Sequence, residues 1–300
     1  MNRTATPRAT RAHGWIVGAR RPAAPAVRLF CLPYAGGGAS TYAAWPALFP
    51  DDVEVCPVEL PGRQTRWGEN AFERARPLVE TLATALADEL DVPYALFGHS
   101  MGALLAFELA RELRRRGADL PRVLFLSAGP APQLPRRKPQ VHDQPDDTVV
   151  ARLRDLGAVP DDVFAEPELL ELLMPTIRAD FSVVETYAYQ PEPPLDCPVV
   201  TFAGTEDREV PPGQVAFWHE QTTGGFAHHV LPGDHFFLHS ERTALLDALR
   251  AALMAAGRRP SARRGVPGRP DEPTRPKGAV MDTTEAFGLM LPQCCAHLMS

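Results

Sequence analysis

The sequence predicts an α/β fold, a mainly parallel sheet flanked by helices, with a helical insertion between two of the strands. Three observations carry this expectation. Short β-rich apolar runs alternate with helical patterns through the middle of the chain, the signature of βα units. The helical stretches repeat leucine every four residues, which places a buried stripe on one side of each helix. Residues 130–194 hold proline-rich connections and helical segments but no strand-like run, and an insertion of that length between strands is usually a lid or a binding element.

In chain order, residues 1–25 read as a loose leader, although Trp15, Ile16 and Val17 are apolar enough to dock on the body. The first fifty residues carry six arginines, no acid and no apolar stretch of signal-peptide length, which argues against secretion. The body spans 26–256, with strands expected at 27–32, 53–58, 94–97, 123–127, 199–203 and 228–231. Leu78, Leu82, Leu86 and Leu90 mark a first helix. Leu105, Leu109 and Leu113 mark a second, which closes with Arg114, Arg115 and Arg116 at the negative dipole end and then Gly117. Within the insertion, helices are expected at 147–156, 167–174 and 175–187, and a last helix at 241–256. From 257 to 300 the composition turns basic and proline-rich, which cannot bury enough apolar area to offset chain entropy, so a disordered tail is expected.

Composition narrows the function. Apolar residues make up 45% and charged residues 23%, which excludes a disordered chain, a collagen-like chain and a multi-span membrane protein. A net charge of −6 does not favour nucleic acid or an anionic membrane as partner. Cys31, Cys56 and Cys197 sit singly in or beside apolar runs and read as free buried thiols, and only Cys294 and Cys295 are adjacent, so a reducing cytoplasm is expected.

The chemistry centres on Gly98-His99-Ser100-Met101-Gly102, which follows a strand-like run and precedes a helix. A serine on a sharp strand-to-helix turn needs small neighbours two residues to either side, the arrangement of a nucleophile elbow. A serine hydroxyl needs a base, and the base needs an orienting carboxylate, in the chain order Ser, acid, His. His235 lies in a glycine-containing loop just past a strand and is the favoured base. His228 and His229 fall inside the run, His239 opens the last helix, and His99 cannot reach its neighbour's hydroxyl productively. For the acid, Asp207 and Glu206 compete in the loop after 199–203, with Asp207 favoured as the inward residue. Asp234 is expected to bond to its own loop, and Asp180 in the insertion is an outsider. The oxyanion needs two donors: one is the N–H of Met101, the other comes from the glycine-rich loop 33–38. That loop lacks the Lys-Ser or Lys-Thr of a phosphate loop, and no zinc-like Cys/His spacing appears, so neither cofactor nor metal is expected.

The motifs LFCLPYAGGGAS at 29–40, ELPGR at 59–63, GHSMGALLAFELA at 98–110, GTED at 204–207 and GDHFFL at 233–238 occur together in this order. Over residues 27–250 the chain resembles the type II thioesterases of polyketide and nonribosomal peptide assembly lines. The resemblance implies a discrete α/β-hydrolase that hydrolyses thioesters on the phosphopantetheine arms of acyl or peptidyl carrier proteins and clears stalled or mis-primed acyl groups. It assigns Ser100, Asp207 and His235 as the triad, and the amides of Ala35 and Met101 as the oxyanion hole. Arg136, Arg137, Lys138, Arg152 and Arg154 would give a basic rim for an acidic carrier, opposed by Asp143, Asp146 and Asp147. An acyltransferase and a general esterase would use the same serine, and a non-catalytic scaffold protein would be expected to lack a triad member.

Overall fold

The six apolar runs all become strands. The computed structural model describes residues 14–19, 22, 24–136, 138–157 and 166–257 of the 300. The strands are β1 (Val27–Leu32), β2 (Val53–Pro57), β3 (Tyr94–His99), β4 (Leu124–Ser127), β5 (Val199–Gly204) and β6 (Phe226–Leu231). They form one sheet in the order β2-β1-β3-β4-β5-β6, and every pairing is parallel. β3, β4 and β5 are buried along their whole length, as a parallel sheet covered on both faces requires. β6 is one edge and mostly exposed, and it starts at Phe226, two residues before the expected run.

The helices are α1 (Ala75–Leu86), α2 (Met101–Arg115), α3 (Asp146–Leu156), α4 (Pro167–Glu185), α5 (Pro212–Ala216), α6 (Phe237–Ser240) and α7 (Arg242–Gly257). Leu78, Leu82, Leu105 and Leu109 join Phe30, Leu32 and Leu96 in one core layer. Leu245, Leu249 and Leu253 of α7 join Leu29, Cys31 and Phe97 in the other. Alternate residues of β1 thus feed opposite layers, as the period-two geometry of a strand dictates. Cutting one of these leucines to alanine costs roughly 2–5 kcal/mol.

Four expectations change in detail. The first helix ends at Leu86, and Leu90 lies beyond a tight turn at Ala87–Glu89, half-buried. His239 lies in α6, just ahead of the last helix. The segments expected at 167–174 and 175–187 are a single helix, α4, that runs through Pro175. Pro175 gives up one ladder bond and crowds the preceding turn, yet Met174 and Ile177 on either side pack with Val149 and Leu153 of α3 and keep the helix whole. Finally, part of the leader is docked. Trp15 is buried, Ile16 bridges Val58, and the Val17 N–H donates to the Pro57 carbonyl at 3.1 Å. The Arg66 guanidinium lies 3.9 Å from the Trp15 ring centre, a cation–π contact that helps seat it. The expected tail, Gly257 apart, and Cys294 and Cys295 lie outside the described residues.

The strand order positions the site. β2 lies on one side of β1 and β3 on the other. The loops leaving β1 and β3 therefore diverge at the carboxyl edge of the sheet, and such a reversal opens a crevice there.

Candidate active site

Ser100 sits at that crevice, between β3 and α2, with φ +54° and ψ −115°. This is a left-handed, strained conformation for a residue with a Cβ. It is tolerated because the backbone around it is packed to contact. A Cβ on Gly98 would meet the Gly102 carbonyl oxygen at 1.9 Å, and one on Gly102 would meet the Leu32 carbonyl oxygen at 2.3 Å. The glycine spacing read from the sequence is thus a steric requirement of the turn. The Ser100 N–H donates to the Ser127 carbonyl at 2.8 Å, tying the turn to β4.

The Ser100 hydroxyl lies 3.0 Å from His235 Nε2, and His235 Nδ1 lies 2.8 Å from Asp207 Oδ2. Asp207 Oδ1 accepts the N–H groups of Glu209 and Val210, each at 2.8 Å. Since a carboxylate only accepts, Nδ1 carries the ring proton and Nε2 is left to accept from Ser100. The side chain of Asp207 is fully buried and that of His235 is 6% exposed, so solvent does not compete for these bonds. Glu206 is exposed and makes no part of the chain of contacts. Its N–H donates to the Gly233 carbonyl at 2.8 Å, and the side chain of the next residue, Asp207, is the buried one. Asp234 accepts the Phe236 N–H within its own loop, as expected. His228 bonds Thr201 and His229 stacks on Phe202, both away from Ser100.

His99 adds a contact the sequence reading did not assign. It is fully buried, with Nε2 2.8 Å from the His235 carbonyl and Nδ1 2.9 Å from the Ser127 hydroxyl. A carbonyl accepts only, so Nε2–H donates to it and Nδ1 accepts from Ser127. Burial, followed by the neighbouring His235, pushes the His99 pKa well below its ordinary value, which keeps this tautomer neutral.

The loop after β1 closes as a turn, with the Gly37 N–H donating to the Tyr34 carbonyl at 2.9 Å and Gly36 at φ +76°. The N–H groups of Ala35 and Met101 are consumed by no hydrogen bond among the described residues. The Gly36 N–H donates to Asp180 Oδ2 at 2.7 Å. Asp180 lies on α4, where Arg63 grips it with two bonds of 2.7 and 2.8 Å. The outsider carboxylate is therefore bound to the loop before Ala39 and to Arg63, not to His235.

A cavity opens over Ser100 and His235, walled on the insertion side by Leu153, Leu156, Phe181 and Val184. Its polar wall holds Arg136, Arg152, Glu185 and Glu209. Here the expected basic rim is reduced. Lys138 and Arg152 both pair with Glu209. Arg137 is outside the described residues. Arg154 is engaged as well, and Arg136 is exposed, in no ion pair among the described residues but within the field of Glu185 and Glu209.

The sequence pattern of the thioesterase domain matches residues 27–253. The chain belongs to the thioesterase domain family. This thioesterase is 40% identical over 233 residues to the gramicidin S biosynthesis protein GrsT of Aneurinibacillus migulanus, a match covering 78% of this chain and 91% of that protein. It is similar to RedJ, a thioesterase from the prodiginine biosynthetic pathway in Streptomyces coelicolor, at 42% identity and a TM-score of 0.74 over 77% of this chain and 92% of that one. It is also similar to BorB, the type II thioesterase from the borrelidin biosynthetic cluster, at 40% identity and a TM-score of 0.72 over 80% and 97%. The thioesterase has the α/β-hydrolase fold of these neighbours and is a hydrolase acting on thioester bonds. No helix among its described residues is long and apolar enough to cross a membrane.

Proposed function

We propose that this thioesterase is a discrete, type II enzyme that hydrolyses acyl groups from the phosphopantetheine arms of carrier proteins and so clears stalled or mis-primed polyketide or nonribosomal peptide synthases. The observation that carries the reading is the Asp207–His235–Ser100 chain of contacts at 2.8 and 3.0 Å on a strained elbow. Its relatives named for gramicidin, prodiginine and borrelidin biosynthesis support the choice of substrate class. The catalytic domain is residues 26–256, and the insertion at about 130–194 is its lid.

Ser100 is the nucleophile. His235 takes its proton as the hydroxyl attacks the thioester carbonyl, and Asp207 holds the imidazole in the accepting tautomer and stabilises the imidazolium. The N–H groups of Ala35 and Met101 receive the oxyanion. Collapse of the tetrahedral intermediate breaks the C–S bond and returns the proton from His235 to the leaving thiol. His235 then deprotonates a water that attacks the acyl-serine, releasing the free acid and restoring Ser100. A thiol leaves readily, so this step asks less of His235 as an acid than an amide would.

The apolar wall of Leu153, Phe181 and Val184 receives the acyl group, and the folded carrier stays outside the mouth with its arm threaded in. With Lys138 and Arg152 spent on Glu209, Arg136, exposed and in no ion pair among the described residues but near Glu185 and Glu209, is the rim cation that meets an acidic carrier. Three free, buried cysteines support a cytoplasmic setting. The test is incubation of an acylated carrier protein with the enzyme, followed by mass spectrometry. Loss of the acyl mass with the pantetheine thiol left free is expected. Acyl transfer to an added amine or alcohol in preference to water would make it an acyltransferase instead.

A further inference from the structure

We propose that Arg63 and Asp180 are a positioning pair through which helix α4 of the insertion sets the oxyanion loop, so that the rate of the chemical step depends on a contact made by the lid. The inference rests on Ala35 being an oxyanion donor. Four bonds carry it. Asp180 Oδ2 accepts the Gly36 N–H at 2.7 Å, and the same oxygen accepts from Arg63 Nη1 at 2.7 Å. Arg63 Nη2 donates to Asp180 Oδ1 at 2.8 Å, completing a fork. Arg63 Nη1 also donates to the Gly37 carbonyl at 2.9 Å. The two residues thus hold the Ala35–Gly36 and Gly37–Gly38 peptide groups, on either side of the Gly36-Gly37 step directly after Ala35.

The geometry is rigid. The side chains of Arg63 and Asp180 are 7% and 2% exposed. Helix α4 is anchored beside them, since the Thr176 hydroxyl donates to the Gly62 carbonyl at 2.6 Å. A turn with a glycine at positive φ can flip its central peptide at low cost. The Asp180 carboxylate blocks that flip by holding the Gly36 N–H, and so keeps the adjoining Ala35 amide aimed.

Charge supplies the second half of the argument. A lone carboxylate one residue from an oxyanion donor would oppose the negative charge that forms on the substrate oxygen. The Arg63 fork neutralises it where it stands, and bidentate guanidinium–carboxylate pairing does this with fixed orientation. Arg63 and Asp180 do not touch the reacting atoms; they act through the loop.

The test uses the full-length enzyme with an acyl-carrier substrate and a trifluoromethyl ketone, whose adduct with Ser100 places an oxyanion in the hole. Inhibition of the wild type by the ketone, lost in Ser100→Ala, checks the underlying reading by itself. Asp180→Asn keeps the shape and should lower kcat by about tenfold or more, leave KM within about twofold, and raise the ketone's Ki by the same factor as kcat falls. Arg63→Lys should retain more kcat than Arg63→Met, because it keeps the charge without the fork. The proposal is overturned if a folded Asp180→Asn enzyme keeps the wild-type kcat, if only KM moves, or if the ketone binds it as tightly as the wild type. It is equally overturned if Asp180→Asn fails to fold, since the pair would then be a structural element of the core.

Discussion

Two adjacent carboxylates, Glu206 and Asp207, compete on paper for one role, and only Asp207 is placed against His235. The Glu206 side chain faces water, its N–H bonded to Gly233, while Asp207 is buried and bonded to His235. Asp207→Asn should therefore lower kcat by about three to four orders of magnitude, since an amide can hold His235 in the wrong tautomer. Glu206→Gln should stay within about twofold, and steady-state kinetics on an acyl thioester would show the contrast. His99 makes a prediction of a different kind. Its folded pKa lies well below the ordinary 6.5, through burial first and His235 second. As pH falls past about 6.5 the unfolded chain binds a proton that the folded one refuses. Its contribution to stability is thus whole above that pH and is lost below it, down to the depressed folded value. Urea midpoints at pH 7.5 and 5.5 should drop less between the two for His99→Asn than for the wild type; equal drops would contradict the assignment.

At the scale of elements, what could be read in advance followed from local rules. The elbow announced itself because Gly98 and Gly102 are demanded by backbone contacts within a few residues, and the strands because a buried parallel sheet needs unbroken apolar runs. β6, an exposed edge, gave a weaker signal, and its first two residues were missed. Pro175 misled because a proline is a local stop signal, whereas the packing of α3 on α4 is tertiary. Arg63 and Asp180 were beyond reach: they are 117 positions apart, and no periodicity links a turn arginine to a helix aspartate. The elements yield two further expectations. Gly102→Ala should abolish activity and lower stability severely, since its Cβ would lie 2.3 Å from a backbone oxygen that cannot move aside. Pro175→Ala, at an exposed position in an otherwise packed stretch, should instead stabilise α4 by about 1–2 kcal/mol, the regained helix bond outweighing the looser unfolded chain. Urea unfolding measures both.

Over the whole molecule, the sheet brings together loops that are far apart in the chain, and residues of the insertion line the cavity beside them. A triad of this kind is indifferent to what carries the acyl group, so selectivity for a carrier must come from the wall and mouth that the insertion forms. Rim charges act chiefly on encounter rate and are screened by salt. With Arg136 the rim cation held in no ion pair among the described residues, though offset by nearby Glu185 and Glu209, kcat/KM for an acyl-carrier protein should exceed that for the same acyl group on a small thiol. The advantage should shrink as salt rises, and shrink more modestly than the five basic residues of the sequence would suggest. The most direct measurement is an intact-protein mass spectrum of an acylated carrier protein before and after incubation with the wild type and with Ser100→Ala. The account predicts loss of the acyl mass, with the pantetheine arm retained, for the wild type alone. An acyl mass that persists with the wild type, or that disappears equally with Ser100→Ala, would contradict it.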